Sequence, residues 1–119
     1  MIGRIVLASI PEPQFACDAM LGGLARWLRA AGYDAFWRHG IDDHELIRRS
    51  QDEERMLLSC DTKIFLYRLL RDNLLPALFV PLRQSPQDQL AYVLEKLNLP
   101  LRPPRCMACG GSLVEVLLC

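Results

Sequence analysis

Phe15-Ala16-Cys17-Asp18-Ala19-Met20-Leu21-Gly22-Gly23-Leu24-Ala25-Arg26-Trp27-Leu28-Arg29-Ala30-Ala31-Gly32 is the stretch that decides the fold. Gln14 to Cys17 is a short apolar run, bounded by Pro11 and Pro13 and closed by Asp18. It reads as a strand. Met20, Leu21, Leu24, Ala25, Leu28 and Ala31 then recur at helical spacing, and Gly32 sits where a helix C-cap belongs. Arg26 and Arg29 share the opposite, solvated face of that helix. A strand that ends in an aspartate and runs into a helix is the unit from which the rest is built.

The unit repeats outward. Ala35 to Arg38 is a second strand, and Asp42 to Ser50 a second helix, opened by Asp42 with Glu45 three residues on. Met56 to Cys60 is a third strand and again ends in an aspartate, Asp61. A third helix is expected over Thr62 to Asp72, and a fourth strand over Leu78 to Val80. Ser85-Pro86 opens a fourth helix with Leu90, Val93, Leu94 and Leu97 on its buried face. The order β-α-β-α-β-α-β-α implies an α/β fold: a mostly parallel sheet of about four strands with helices on both faces. Residues 4–9 suit either an extra edge strand or a loose tail.

The 119 residues bound one domain with a short appendage. Fourteen basic and fourteen acidic residues cancel, so no global field draws nucleic acid, and such binding needs a local patch. Five cysteines without a disulfide-like spacing suggest a reducing compartment. No signal-peptide core or membrane-length apolar run is seen, and a soluble, cytoplasmic protein is expected.

Asp18 and Asp61 each end a strand and precede a helix. On neighbouring strands their carboxylates would converge, which is costly unless a cation lies between them. Asp43, at the start of the helix after the second strand, would add a third carboxylate. Hard oxygen ligands suit Mg²⁺ or Mn²⁺. Each aspartate equally suits a plain helix N-cap, and the two roles are compatible. Gly22-Gly23 allows either a close phosphate or close helix packing, and Lys63 is a phosphate contact or an ordinary surface lysine. His39 and His44 read as exposed loop residues, Cys17 and Cys60 as inert strand residues.

The tail reads Arg105-Cys106-Met107-Ala108-Cys109-Gly110-Gly111, half of a zinc ribbon. A closed structural zinc site takes four ligands, and only Cys119 follows Cys106 and Cys109. Zn²⁺ is therefore possible with an incomplete ligand set. A boundary is expected at residues 101/102, with 1–101 folding alone and 102–119 a loosely ordered partial ribbon.

Phe15 to Asp34, Asp42-Asp43-His44-Glu45-Leu46, Leu57-Leu58-Ser59-Cys60-Asp61 and Arg105 to Leu113, in that order and spacing, resemble the PIN-like ribonuclease family named after the Mut-seven C-terminal domain. The resemblance runs over about residues 14–115. It implies a PIN-like three-layer fold, a divalent-metal acidic site and RNA hydrolysis. The family's acids fall on Asp18, Asp43 (with Asp42 a substitute) and Asp61. Arg26, Arg29 and Lys63 would orient the RNA backbone. The family's third block has threonine then arginine before its aspartate, where this chain has Ser59 and Cys60. The expected function is a Mg²⁺- or Mn²⁺-dependent endoribonuclease acting on single-stranded RNA, without a small-molecule cofactor. The alternative is a non-catalytic RNA- or protein-binding module with a ribbon remnant. A phospho-acceptor receiver domain needs paired acids after its first strand, and Ala19 follows Asp18.

Overall fold

A computed structural model describes residues 12–111. Four strands form one sheet: β1 (Phe15–Cys17), β2 (Ala35–Phe36), β3 (Met56–Ser59) and β4 (Ala77–Phe79). Their order is β2-β1-β3-β4 and every pairing is parallel. The helices are α1 (Gly22–Ala30), α2 (Asp43–Asp52), α3 (Arg68–Arg71) and α4 (Pro86–Leu97). This is the expected α/β architecture, compatible with a PIN-like three-layer fold. The segment 4–9 and Cys119 lie outside the described residues.

Strand side chains alternate between faces, and the two halves of the core follow that period. Phe15, Cys17 and Leu58 face Leu24 and Leu28 of α1 and Val93 of α4. Ala16 and Leu57 face Leu46 and Ile47 of α2 and Leu70 of α3. Both faces of the central strands are covered, so β1 and β3 carry apolar residues without alternation. At the amino end of the sheet the half-buried Arg55 ties three strands together. It donates to the Phe15 carbonyl at 3.0 Å and pairs with Asp34 at 3.1 Å and Glu53 at 2.7 Å.

Two expected elements differ. The first helix begins as a 3-10 turn, Ala19–Leu21, capped by Asp18, and becomes α-helical at Gly22. The single helix expected over 62–72 is broken into a 3-10 turn, Thr62–Leu66, and the short α3. The break falls at Tyr67, whose backbone is extended (φ −65°, ψ 146°). Its ring stacks on His44 at 5.2 Å and 18°, an anchor that a continuous helix would carry away from α2.

The tail is not loose where it is described. Arg102 N–H donates to Ala31 O at 2.9 Å and Arg105 N–H to Arg29 O at 2.8 Å, so the chain runs back across the end of α1. The Tyr33 hydroxyl donates to Pro100 O. Gly32 turns at φ +97°, and a Cβ there would meet Arg102 Cβ at 2.5 Å and Pro103 O at 2.6 Å. Only glycine fits both the backbone and the contact. No helix among the described residues is long and apolar enough to cross a membrane.

Candidate active site

The chain passes from β1 outward to β2, then back across β1 to β3. The topological switch therefore lies between β1 and β3, and the crevice at their carboxyl ends is where open α/β sheets bind ligands. Cys17 is level with Leu58, so Asp18 emerges level with Ser59. Its N–H still completes the ladder, donating to Leu58 O at 3.0 Å.

Asp18 is 7% exposed and its carboxylate accepts from three N–H and O–H donors, with the Cys60 thiol as a longer fourth. Met20 N–H caps Oδ1 at 2.8 Å. The Ser59 hydroxyl (2.6 Å) and Cys60 N–H (2.9 Å) both reach Oδ2. Ser59 Oγ in turn accepts the Asp61 N–H at 3.0 Å. One buried hydroxyl thus links the two strand-ending aspartates. Asp61 itself is exposed, and its Oδ1 caps the next turn by accepting Lys63 N–H at 2.9 Å. The Cys60 thiol lies 3.7 Å from Asp18 Oδ2, and burial, then the Asp18 charge, push its pKa up to about 11. Cys17 is fully buried and pushed up to about 12 by that burial. Neither thiol is set up as a nucleophile.

Asp42 and Asp43 separate in role. Asp42 is exposed and caps α2, accepting Glu45 N–H at 2.8 Å. Asp43 is half-buried, and its carboxyl is raised above the usual range by that burial and then by the charges of Asp61, Asp18 and Asp42. The charges of Asp61 and Asp18, from two other elements, therefore reach Asp43 across the crevice. Among the described residues, none of Asp18, Asp43 and Asp61 is ion-paired with Lys or Arg. The donor set fits a hard divalent cation in kind: oxygen ligands carrying negative charge that no Lys or Arg among the described residues pairs with. The expected closed ligand group is not assembled, however. No three acidic, histidine or cysteine side chains among the described residues form a set able to hold one ion. The physical reason is that Asp18 is turned onto Met20, Ser59 and Cys60, while Asp61 is turned onto its own cap.

The basic residues divide as well. Arg26 and Lys63 are exposed, with no ion pair among the described residues. Arg29 was expected on the solvated face as a phosphate contact, but it is 8% exposed. Its Nε donates to Ala35 O at 2.9 Å, and its Nη1 donates to Met107 O at 2.9 Å and Ala108 O at 3.1 Å. With Nε and Nη1 committed to three carbonyls, the side chain works as a structural clamp rather than lying on the solvated face. Gly22 and Gly23 are likewise packing positions. A Cβ on them would meet the Trp37 ring at 2.9 Å and Pro86 at 2.8 Å.

The tail turn is shaped like a knuckle. Gly110 N–H donates to Cys106 O at 2.7 Å and Gly111 N–H to Cys109 Sγ at 3.4 Å. The Cys106 thiol is lowered by the surrounding backbone N–H groups of Cys109, Ala108 and Gly110 and by Arg29. Cys109 is disulfide-bonded, against the expectation from cysteine spacing.

Sequence reasoning missed Ser59 and Cys60 as holders of Asp18. A small hydroxyl two residues before a strand-ending acid, on the strand beside another such acid, was the available signal.

The family model described as the Mut7-C RNAse domain matches residues 13–117. No curated protein matches the chain, and no solved structure does.

Proposed function

We propose, because this chain belongs to the Mut7-C RNAse domain family, that it is a divalent-metal-dependent endoribonuclease acting on single-stranded RNA. The observation that carries the reading is the acidic crevice: Asp43 is held above its usual range by burial and then by the charges of Asp61 and Asp18, with no Lys or Arg paired to any of the three among the described residues. Such a cluster is stabilised by a cation and costs stability without one.

Asp18, Asp43 and Asp61 would hold Mg²⁺ or Mn²⁺. A bound ion of this kind supplies a stronger water nucleophile and offsets charge on the scissile phosphate. Asp18 is the fixed member, set by three hydrogen bonds. Asp61 is the adaptable one, exposed and capping through Oδ1 alone. Arg26 and Lys63 would meet the RNA backbone, since both present exposed charges without an ion pair among the described residues. Zn²⁺ at Cys106 and Cys109 is a separate structural proposal that requires the Cys109 disulfide to be reduced to a thiolate, and no step of RNA hydrolysis depends on it.

Asp61→Asn keeps the side-chain shape and removes the charge. It should abolish Mg²⁺- or Mn²⁺-dependent cleavage of single-stranded RNA while the protein stays folded. The unassembled ligand group favours a second reading, a non-catalytic RNA- or protein-binding module. Wild-type protein that leaves several RNAs uncut with both metals would support that module instead.

A further inference from the structure

The sheet presents an aromatic surface beside the acidic crevice. Phe79 ends the edge strand β4, level with Ser59 on β3. Asp18 is level with Ser59 on the other side, so Phe79 stands two strand spacings from it, roughly 10 Å. The strand period puts Phe79 on the same face as Ala77, which packs with the α2 side of the core. Asp43 begins α2 on that face. Phe79 remains 37% exposed at the very end of its strand. Its ring is braced edge-on by Phe65 at 6.2 Å and 64°. Phe65 follows Asp61 by four residues and packs against the same half of the core. The next residue, Leu66, is 71% exposed, and Leu82, just past β4, is also exposed.

We infer that Phe79, held by Phe65, is a stacking platform for a base of single-stranded RNA next to the phosphate at the acidic site. The inference rests on the RNA-cleaving reading of that site. Charge alone does not supply the affinity. The chain has fourteen basic and fourteen acidic residues, and the crevice itself is acidic. A protein without a basic field must take affinity from elsewhere, and base–aromatic stacking is the sequence-tolerant source. A ring fixed by a second ring loses little freedom when a base lands on it. The spacing from Asp18 is one that a nucleotide bridges. A paired duplex keeps its bases stacked on one another and offers none to such a ring, so the platform selects single strands.

The test is binding of a fluorescently labelled single-stranded RNA by anisotropy in the uncleaving Asp61→Asn protein. Phe79→Leu keeps apolar volume at the strand end and removes the ring. It should weaken binding about tenfold, a loss of the size expected for one stacked base. Phe79→Trp should keep the affinity. An RNA with abasic residues should lose a similar factor on the Phe79 protein and nothing on Phe79→Leu. Equal binding by the Phe79 and Phe79→Leu proteins, with wild type still cleaving RNA, overturns the platform alone. Ring-dependent binding by a wild-type protein that cuts nothing supports the platform and overturns the nuclease reading. Absence of RNA binding overturns both.

Discussion

The Ser59 hydroxyl donates to Asp18 Oδ2 at 2.6 Å while accepting the Asp61 N–H at 3.0 Å. Ser59 is buried, so neither bond has water as an alternative. Ser59→Ala leaves the Asp61 N–H without its acceptor and Asp18 Oδ2 with Cys60 alone as donor, which costs about 1–3 kcal/mol. We expect the thermal midpoint to fall by roughly 5 °C or more in a domain of this size. Cleavage should fall with it, because Asp18 loses its fixed orientation. Ser59→Thr restores the hydroxyl and should recover most of both, and a threonine variant as damaged as alanine would count against the bridge.

Asp43 makes stability depend on pH in a definite direction. Its folded carboxyl is raised by burial and by Asp61, Asp18 and Asp42. The native state therefore holds the proton more tightly than the unfolded chain does. Stability from this group falls as pH climbs from the unfolded value of about 3.9 through the raised folded value. At neutral pH it is a standing cost. Asp43→Asn should raise the thermal midpoint measured with a chelator at pH 7, and the gain should vanish as pH drops below about 4. The variant should also lose the midpoint rise expected for the wild type with Mg²⁺ or Mn²⁺. A variant less stable than wild type in chelator at pH 7 would contradict the account.

Arg29 predicts a stability effect and a local one. Arg29→Met removes three charge-assisted bonds from a buried position, at a cost of about 2–4 kcal/mol. The amides of Arg102 and Arg105 bond to carbonyls at the end of α1. Their hydrogen exchange should quicken more than that of β1 or β3. Arg29→Lys should not rescue it, because an ammonium cannot fill a planar fork. Uniform exchange changes across the domain would speak for a global effect only.

Gly32→Ala places a methyl group where φ is +97° and where Arg102 Cβ and Pro103 O lie within 2.6 Å of it. The backbone strain alone is about 1–2 kcal/mol. The denaturant midpoint should fall by more than that strain accounts for, and a loss no larger than the strain would mean that the tail can shift away freely.

Much of the fold was legible because period and punctuation agreed. Cys17–Asp18 and Ser59–Cys60–Asp61 mark two strand ends, and Asp42 with Glu45 and Ser85 with Pro86 mark two helix starts. The broken third helix was not legible, because it depends on Tyr67 finding His44, a residue of another element. Arg29 was misread for a related reason. Spacing within one helix puts it beside Arg26, while its partners lie up to 79 residues away. At the site, the acids could be read singly from strand ends. Their mutual influence and the hydroxyl linking two of them depend on strand order, which the sequence pattern left open.

The Arg29 clamp also sets the order in which this protein can finish folding. Chain synthesis proceeds at about 5–20 residues per second, so the fourth strand is made before Met107 and Ala108 are. In that interval the guanidinium has only Ala35 O of its three carbonyl partners. The contacts of α1 are thus completed only after all four described strands have been made. Until residues 107 and 108 dock, two of the three carbonyls that hold the guanidinium are missing from it.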